Sequence, residues 1–150
     1  MTRCPAIDRR NLTAEEERFV EGEPVLRLAT SSPIATPHVV PLCFAYWGQA
    51  FYTHLKNGDA YQRVRNIRRT GKAAVLVDRY NPLWKLGQKR GGNVGVLVQG
   101  RSEVLEEGEE NEEARRLLVA KYPQYAGSEV ERGCPVLKVS IVKVVSWGFG

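Results

Sequence analysis

The chain has 150 residues, a formal net charge of +5, 43% hydrophobic and 26% charged residues. This length and composition predict a single globular domain over residues 1–150 with a core of its own. No apolar run approaches the roughly 20 residues that a membrane span needs, and residues 1–11 lack the apolar stretch of a signal peptide, so we expect a cytoplasmic protein.

Cysteine and histidine contents exclude two classes of site. The three cysteines are odd in number and widely spaced, which argues against a disulfide framework and against a zinc site. The two histidines, His38 and His54, are too few and too far apart to suggest a metal centre. Basic residues concentrate at 56–90, and glutamates form an acidic block at 106–113. Such a block would repel phosphates along an extended groove, so a local anion site is favoured over a nucleic-acid groove.

The first third of the chain predicts one helix and three strands. Thr13 and Glu16 have capping-box spacing for a helix that ends near Glu21. Strands are predicted at 25–30, 37–46 and 50–54, the last two joined as a hairpin by the tight connection at 47–49. Proline cannot donate to a sheet ladder, so Pro41 must lie at an edge, a bulge or a break, where freed backbone groups can face a ligand.

The remainder alternates strands and helices. A basic helix ending at Gly71 is followed by strands at 72–80 and 94–105, a helix at 109–121 and a strand at 135–147. A loop is predicted at 81–93 and a bulge or kink at Gly100. Six short strands with interior Gly and Pro predict a mainly β protein of α+β type, a small, closed or nearly closed antiparallel barrel with three helices. An open ferredoxin-like sandwich is the alternative.

Residues 51–77 form a strand, a polar loop, an amphipathic helix and a second strand. Ala60, Val64 and Ile67 share one face of the helix and should pack on the sheet. Its surroundings are cationic: Lys56, Arg63, Arg65, Arg68, Arg69 and Lys72. Charge-assisted, bidentate contacts suit a phosphate dianion, so the unit predicts a phosphate site. The alternative is a solvated basic helix face.

Several short motifs in this order resemble one known family. They are LAT at 28–30, PHVVP at 37–41, YT at 52–53, RVRNI at 63–67, VD at 77–78 and VVSWG at 144–148. Together they are similar to the pyridoxamine 5′-phosphate oxidase-like split-barrel family, whose members bind flavin mononucleotide (FMN) or a deazaflavin. The resemblance covers roughly residues 12–150 and implies a homodimer of six-stranded split barrels with two cofactors in the interface.

The resemblance also implies which positions bind the cofactor. The strand of His38, Val39, Val40, Pro41 and Leu42 would lie along the isoalloxazine ring and offer it backbone groups. Tyr52 and Thr53 would lie beside the ribityl phosphate, with Lys56 and Arg63 as the phosphate cations. Trp84 and Trp147 match aromatic positions that can come from the second subunit. By position on the helix, Arg68 and Arg69 should face solvent.

Some of these residues have a second interpretation. His38 could polarise a cofactor carbonyl, or simply be hydrogen-bonded at a barrel rim. Tyr52 and Trp84 could stack on a ring system, or be ordinary core or interface aromatics.

No Ser-His-Asp set, paired catalytic carboxylates or phosphate-cradling glycine loop is present, so a bound cofactor would carry the chemistry. The resemblance implies an FMN-dependent, alternatively deazaflavin-dependent, oxidoreductase that transfers hydride to or from a small organic molecule. The substrate Arg and His of the true vitamin B6 oxidases have no counterpart in the closing SWGFG, so that activity is not expected. A non-catalytic flavin carrier or sensor is the alternative function, and neither nucleic acid nor membrane is expected as a partner.

Overall fold

The computed structural model describes residues 9–56, 60–81 and 92–149, with only the backbone of Asn81. Its helices are α1 (Ala14–Gly22), α2 (Gln62–Thr70), α3 (Glu109–Lys121) and α4 (Glu129–Arg132), with a 3-10 turn at Pro123–Tyr125. Its strands are β1 (Leu26–Ser31), β2 (Pro37–Leu42), β3 (Ala45–Trp47), β4 (Ala50–His54), β5 (Lys72–Asn81), β6 (Gly92–Leu105) and β7 (Val136–Trp147).

All seven strands belong to one antiparallel sheet in the order β2-β1-β5-β6-β7-β4-β3. Its two edge strands, β2 and β3, are separated in sequence by Cys43 and Phe44 alone. Because only two residues connect the opposite edges of the sheet, the sheet must curl until β2 and β3 lie close together. The result is a half-barrel with an opening, the split, between these two strands. The prediction of a mainly β antiparallel barrel is confirmed. There are seven strands rather than six because the predicted strand at 37–46 breaks at this junction.

The concave side of the sheet holds the core. Fully buried residues alternate along the strands, as in Leu26 and Leu28 of β1 or Val96 and Val98 of β6, and this period of two is expected for a sheet with one covered face. Helix α2 packs on that core through Val64 and Ile67, as predicted. The prediction for Ala60 is wrong: it is exposed, because the helix begins two residues later, at Gln62.

Local predictions about helix and strand ends are largely confirmed. Helix α1 has the predicted capping box between Thr13 and Glu16, and α2 ends at Gly71 with φ +66°. The ladder of β6 and β7 shifts register at Gly100, where a Cβ would lie 2.2 Å from the Ser140 carbonyl oxygen. The 3-10 turn and α4 were not predicted, and most of the predicted loop at 81–93 lies outside the described residues. None of the described helices is long and apolar enough to cross a membrane.

The junction between the sheet edges is fixed by Tyr122, at the end of α3. Its hydroxyl oxygen accepts from the Phe44 N–H at 3.0 Å and donates to the Pro24 carbonyl at 2.7 Å. One buried phenol therefore satisfies backbone groups just before β1 and just after β2, which sheet pairing leaves free at this point. The entrance to β1 and the exit of β2 are held in one place.

Candidate anion and cofactor site

The N-terminus of α2 differs from those of the neighbouring long helices. Helices α1 and α3 each carry three glutamates in the first turn, whereas α2 carries no acidic residue there and its N-cap, Tyr61, makes no side-chain capping bond. The first N–H groups of a helix have no partner within it and carry partial positive charge. The start of α2 is thus a set of uncompensated donors, the arrangement that binds anions.

Arg63 lies in this first turn and is buried, with only 9% of its surface exposed. Its guanidinium carbon is 3.9 Å from the centroid of the Tyr61 ring, and its Nε has no hydrogen-bond partner among the described residues. Burial lowers the pKa of Arg63, against a smaller opposing effect of Tyr61. A buried cation without an anion is costly, so this side chain is well suited to receive one.

Further polar groups come from β4 and the segment after it. The Thr53 hydroxyl oxygen and the His54 Nδ1 are buried and have no described partner. Burial lowers the pKa of His54, and the charges of Lys56 and Arg63 lower it further. These electrostatic effects place His54, Lys56 and Arg63 in one neighbourhood, with Lys56 exposed to solvent. Two permanent cations and an unsatisfied imidazole nitrogen therefore lie in one neighbourhood, and the cations fit a phosphate group. Adjacent strand residues project to opposite faces, so whether the Thr53 hydroxyl reaches the same ligand stays a prediction.

The two arginines at the far end of α2 are different. Arg68 and Arg69 are both exposed, and Arg68 forms an ion pair with Glu106 at 2.7 Å. Arg68 and Arg69 therefore face solvent, as expected. Arg63, in contrast, is buried.

Strand β2 offers an unpaired edge. Its outer positions, Pro37, Val39 and Pro41, are exposed, while His38, Val40 and Leu42 are half-buried. Because proline cannot donate to a ladder, the N–H groups that pair with β1 must come from the half-buried residues. The three exposed residues then direct their carbonyls, and the single N–H of Val39, away from β1. This edge therefore presents mainly hydrogen-bond acceptors to a ligand.

His38 lies on the inner side of β2, in register with Thr30 of β1. Its Nδ1 is buried and has no partner among the described residues. Asn66 of α2 donates from Nδ2 to the Thr30 hydroxyl at 3.0 Å and accepts from the Gln62 Nε2 at 2.8 Å. These hydrogen bonds connect the first turn of α2 to the strand beside His38, and the one between Asn66 and Thr30 is buried.

Tyr52 is buried beneath α3, where its hydroxyl donates to Glu110 Oε1 at 3.2 Å. Ala50, Ala114 and Val136 are buried in the same cluster. In the single chain its ring is therefore a core aromatic, and whether it also contacts a ligand stays a prediction. Trp84 lies outside the described residues.

Trp147 lies on the outer face of the sheet with 38% of its surface exposed. A Cβ at Gly95 would come within 2.2 Å of its ring, so the ring lies directly on the β6 backbone and depends on that glycine. Four strand spacings of about 4.8 Å separate β2 from β7, roughly 19 Å along the sheet. Because the sheet curls, this path along the strands is an upper limit on the distance between Trp147 and the β2 edge of one chain.

An open groove with a volume of about 580 Å³ lies elsewhere, between the end of β1, the start of β5 and the bulge of β6. Thr30, Lys72 and Arg101 contribute to its wall, but no residue of the α2 N-terminus does. Unsatisfied buried polar groups, rather than cavity size, identify the anion site. The described residues contain no cluster of His, Cys, Asp or Glu that could hold a metal ion.

Three contributors were missed from the sequence. Tyr61 stacks on Arg63, His54 was considered only as a metal ligand, and Gly95 makes room for Trp147. The aromatic residue two positions before Arg63 was a usable signal for the first. The other two depend on cross-strand placement, which spacing along the chain does not reveal.

The family model described as pyridoxamine 5′-phosphate oxidase matches residues 12–148. No curated protein matches the chain.

Similar solved structures include an FAD-binding protein from Mesorhizobium loti, with a TM-score of 0.64 at 23% identity, covering 89% of this chain and 90% of that one. The conserved hypothetical protein Rv2991 from Mycobacterium tuberculosis has a TM-score of 0.72 at 19% identity, covering 94% and 89%. HutZ, the heme storage protein from Vibrio cholerae, has a TM-score of 0.72 at 12% identity, covering 93% and 97%. At these identities the likeness concerns the fold alone.

Proposed function

Because the chain belongs to the pyridoxamine 5′-phosphate oxidase family, we propose that it binds FMN and transfers hydride between the flavin and a small organic substrate. The observation that carries the proposal is Arg63, a nine-tenths buried cation at an uncapped helix N-terminus, whose Nε has no partner among the described residues. A ligand with a terminal phosphate dianion supplies the missing counter-charge.

In this proposal the chain binds the two ends of the cofactor with different chemistry. Arg63, Lys56, the Thr53 hydroxyl and the first N–H groups of α2 bind the phosphate. The outward carbonyls and the Val39 N–H of β2 face the donor and acceptor atoms of the ring system. The hydrogen bond from Asn66 to Thr30 fixes α2 relative to β1, and thereby the distance between the two ends.

Bound flavin supplies a reversible hydride acceptor, so the protein needs to supply orientation and to exclude water. The groups gathered at α2 are mainly cationic donors, which suits binding of the phosphate rather than acid–base chemistry. We therefore expect the substrate to be oriented by the ring and by the second subunit, and we do not expect true pyridoxamine phosphate oxidase activity. A deazaflavin would present a phosphate to the same cations and is the alternative cofactor.

The outer face of the sheet supports a homodimer. Cross-strand partners place Val39, Ala29, Ala74, Leu97 and Val145 in neighbouring rows of this face, and Val39 is 61% and Val145 40% exposed. Gln99 and Lys143 continue the row of Val39, and Arg27 continues the row of Leu97. The apolar residues thus form a patch bordered by polar ones, which is the pattern of a protein–protein interface. A second copy would cover it and would bring a Trp147 within reach of the first copy's β2 edge.

Light scattering after size exclusion should give the mass of a dimer, and Val145→Glu should shift it toward the monomer because a buried unpaired charge is costly. Ala120→Glu is the control: it adds the same charge at an exposed position of α3, a helix that contributes no residue to this patch. A wild-type monomer contradicts the proposed assembly.

The absorption spectrum of the purified protein, with mass analysis of the released cofactor, tests the function. Bands of an oxidised flavin and release of FMN support the proposal, and the mass distinguishes a deazaflavin. A protein that stays colourless after incubation with both cofactors contradicts it. A Soret band would instead indicate haem, which HutZ is described as storing.

A flavin carrier or sensor without turnover is the second candidate function. It is favoured by the same observation that the gathered groups can bind an anion but include no nucleophile–base pair. Oxidation of a nicotinamide donor by the holoprotein, at a rate well above that of free FMN at equal concentration, excludes it.

A further inference from the structure

His54 is the titratable group of the site to which the proposed function assigns no role. It is the last residue of β4, directly after Thr53 and two residues before Lys56. Its ring packs edge-to-face on Tyr125, with centroids 4.8 Å apart, and its buried Nδ1 has no partner among the described residues. The described part of the chain therefore provides this nitrogen with neither a carboxylate nor a carbonyl that would stabilise a proton on it.

The charges around His54 come from three elements. Lys56 follows β4 and Arg63 belongs to α2, and both oppose protonation, while Glu129 of α4 favours it. Tyr125, in the 3-10 turn, packs against the ring but is uncharged, because burial raises its pKa. Burial is the largest effect on His54 and lowers its pKa, and the two cations outnumber the single carboxylate. In the cofactor-free chain the imidazole is therefore neutral at pH 7.

Resting on the proposed function, we propose that His54 is a proton-dependent cation of the phosphate site, so that binding of the cofactor phosphate is coupled to uptake of one proton by the His54 imidazole. A phosphate dianion bound by Lys56 and Arg63 offsets the two charges that oppose protonation. The proton comes from the buffer and no covalent bond changes. The bound site then contains three cations facing the dianion instead of two.

The coupling gives the affinity a defined pH dependence. Because the bound state holds more protons than the free state, affinity must rise as pH falls through the range in which His54 titrates. The phosphate's own second proton, with a pKa near 6, acts in the opposite direction at lower pH. At pH 7 to 7.5 the phosphate is already largely dianionic before binding, so proton uptake in this range reports on His54 rather than on the phosphate.

Isothermal titration of FMN into the cofactor-free full chain tests the proposal. Titrations at pH 7.0 in buffers of different ionisation enthalpy give the number of protons taken up. We expect roughly 0.3–0.8 proton per FMN for the wild type, almost none for His54→Asn, and almost none for riboflavin, which lacks the phosphate. His54→Asn should also weaken FMN binding by about three- to tenfold at pH 6.5, with a much smaller effect at pH 8.5.

Uptake that is absent in the wild type, or that persists in His54→Asn, overturns the proposal. Binding heat without proton uptake refutes only the role of His54, whereas no binding heat at all refutes the cofactor and the role together. Should His54→Asn fail to fold, imidazole ¹⁵N shifts of the wild type give the answer directly. The pKa of His54 should rise by about one unit or more when FMN binds, and an unchanged value overturns the proposal.

Discussion

Replacing Arg63 by methionine separates a binding role from a structural one. Methionine keeps most of the side-chain volume and removes the charge, so the packing against Tyr61 is largely retained. Arg69→Met is the matched control, because it is the same substitution on the same helix at an exposed position. Arg68 is unsuitable as a control, since its ion pair with Glu106 ties it to another element.

The expected magnitude follows from the geometry. A hydrogen bond to a charged group contributes about 1.5–3 kcal/mol, so Arg63→Met should weaken FMN binding by about 10- to 150-fold. Arg69→Met should change it by less than about threefold, as for a solvent-exposed charge. Arg63→Lys should recover part of the loss, because it restores the charge but not the bidentate geometry.

Stability of the cofactor-free protein gives the second measurement. Arg63 is buried without a described anion, so its replacement by an apolar side chain should leave the melting temperature unchanged or higher. With saturating FMN the wild type should have the higher melting temperature, because it binds FMN more tightly and is therefore stabilised more by the ligand. Equal losses of affinity in Arg63→Met and Arg69→Met would refute the placement of the phosphate and favour a diffuse basic surface.

Two further predictions concern the buried carboxylate of Glu16 and the packing of Trp147 on Gly95. Burial opposes ionisation of Glu16, but bonds from Arg9, Ser146 and a backbone N–H outweigh it and lower its pKa from 4.5 to about 2. Ionised Glu16 should contribute at most about 3 kcal/mol to the free energy of unfolding. This contribution should be fully present above pH 4.5 and be lost as pH falls toward 2. Melting curves recorded as a function of pH should show it in the wild type and not in Glu16→Gln. Gly95→Ala should displace Trp147, change its fluorescence and cost about 1–3 kcal/mol. Gly22→Ala, whose Cβ would meet nothing within 4 Å, should be neutral or stabilising.

Sequence reasoning succeeded where one local cause decides the outcome. The capping box of α1, the left-handed Gly71 after α2 and the bulge at Gly100 each follow from residues adjacent in the chain. It failed for the strand at 37–46, because the backbone at the break is hydrogen-bonded to Tyr122, a residue 78 positions after Phe44 in the chain. It also placed Ala60 on a helix face by periodicity, although the helix starts only after Tyr61.

Cations of the candidate site illustrate the same limit. The helical period of 3.6 residues places Arg63 beside the buried face of α2 and the two arginines at its end away from that face. The sequence therefore predicted correctly which of these side chains is buried. The unpartnered Nδ1 of His54 was not predictable, because its environment is made by Tyr125 and Glu129 from the far end of the chain. Burial of a polar atom is a tertiary property, and no short motif records it.

The position of the split explains why one chain holds only part of the proposed site. Strands β2 and β4 are five strands apart in the sheet order, and the two-residue junction after β2 brings their edges back toward each other. In the proposed site, one ligand would span the acceptors of β2 and the donors near Arg63. Trp147 belongs to the outer face, roughly 19 Å along the sheet from β2, and no curling of the same sheet brings an outer face into its own split. If Trp147 contacts the cofactor, the ring it contacts must therefore belong to the second copy, so binding and dimerisation should weaken together in Val145→Glu.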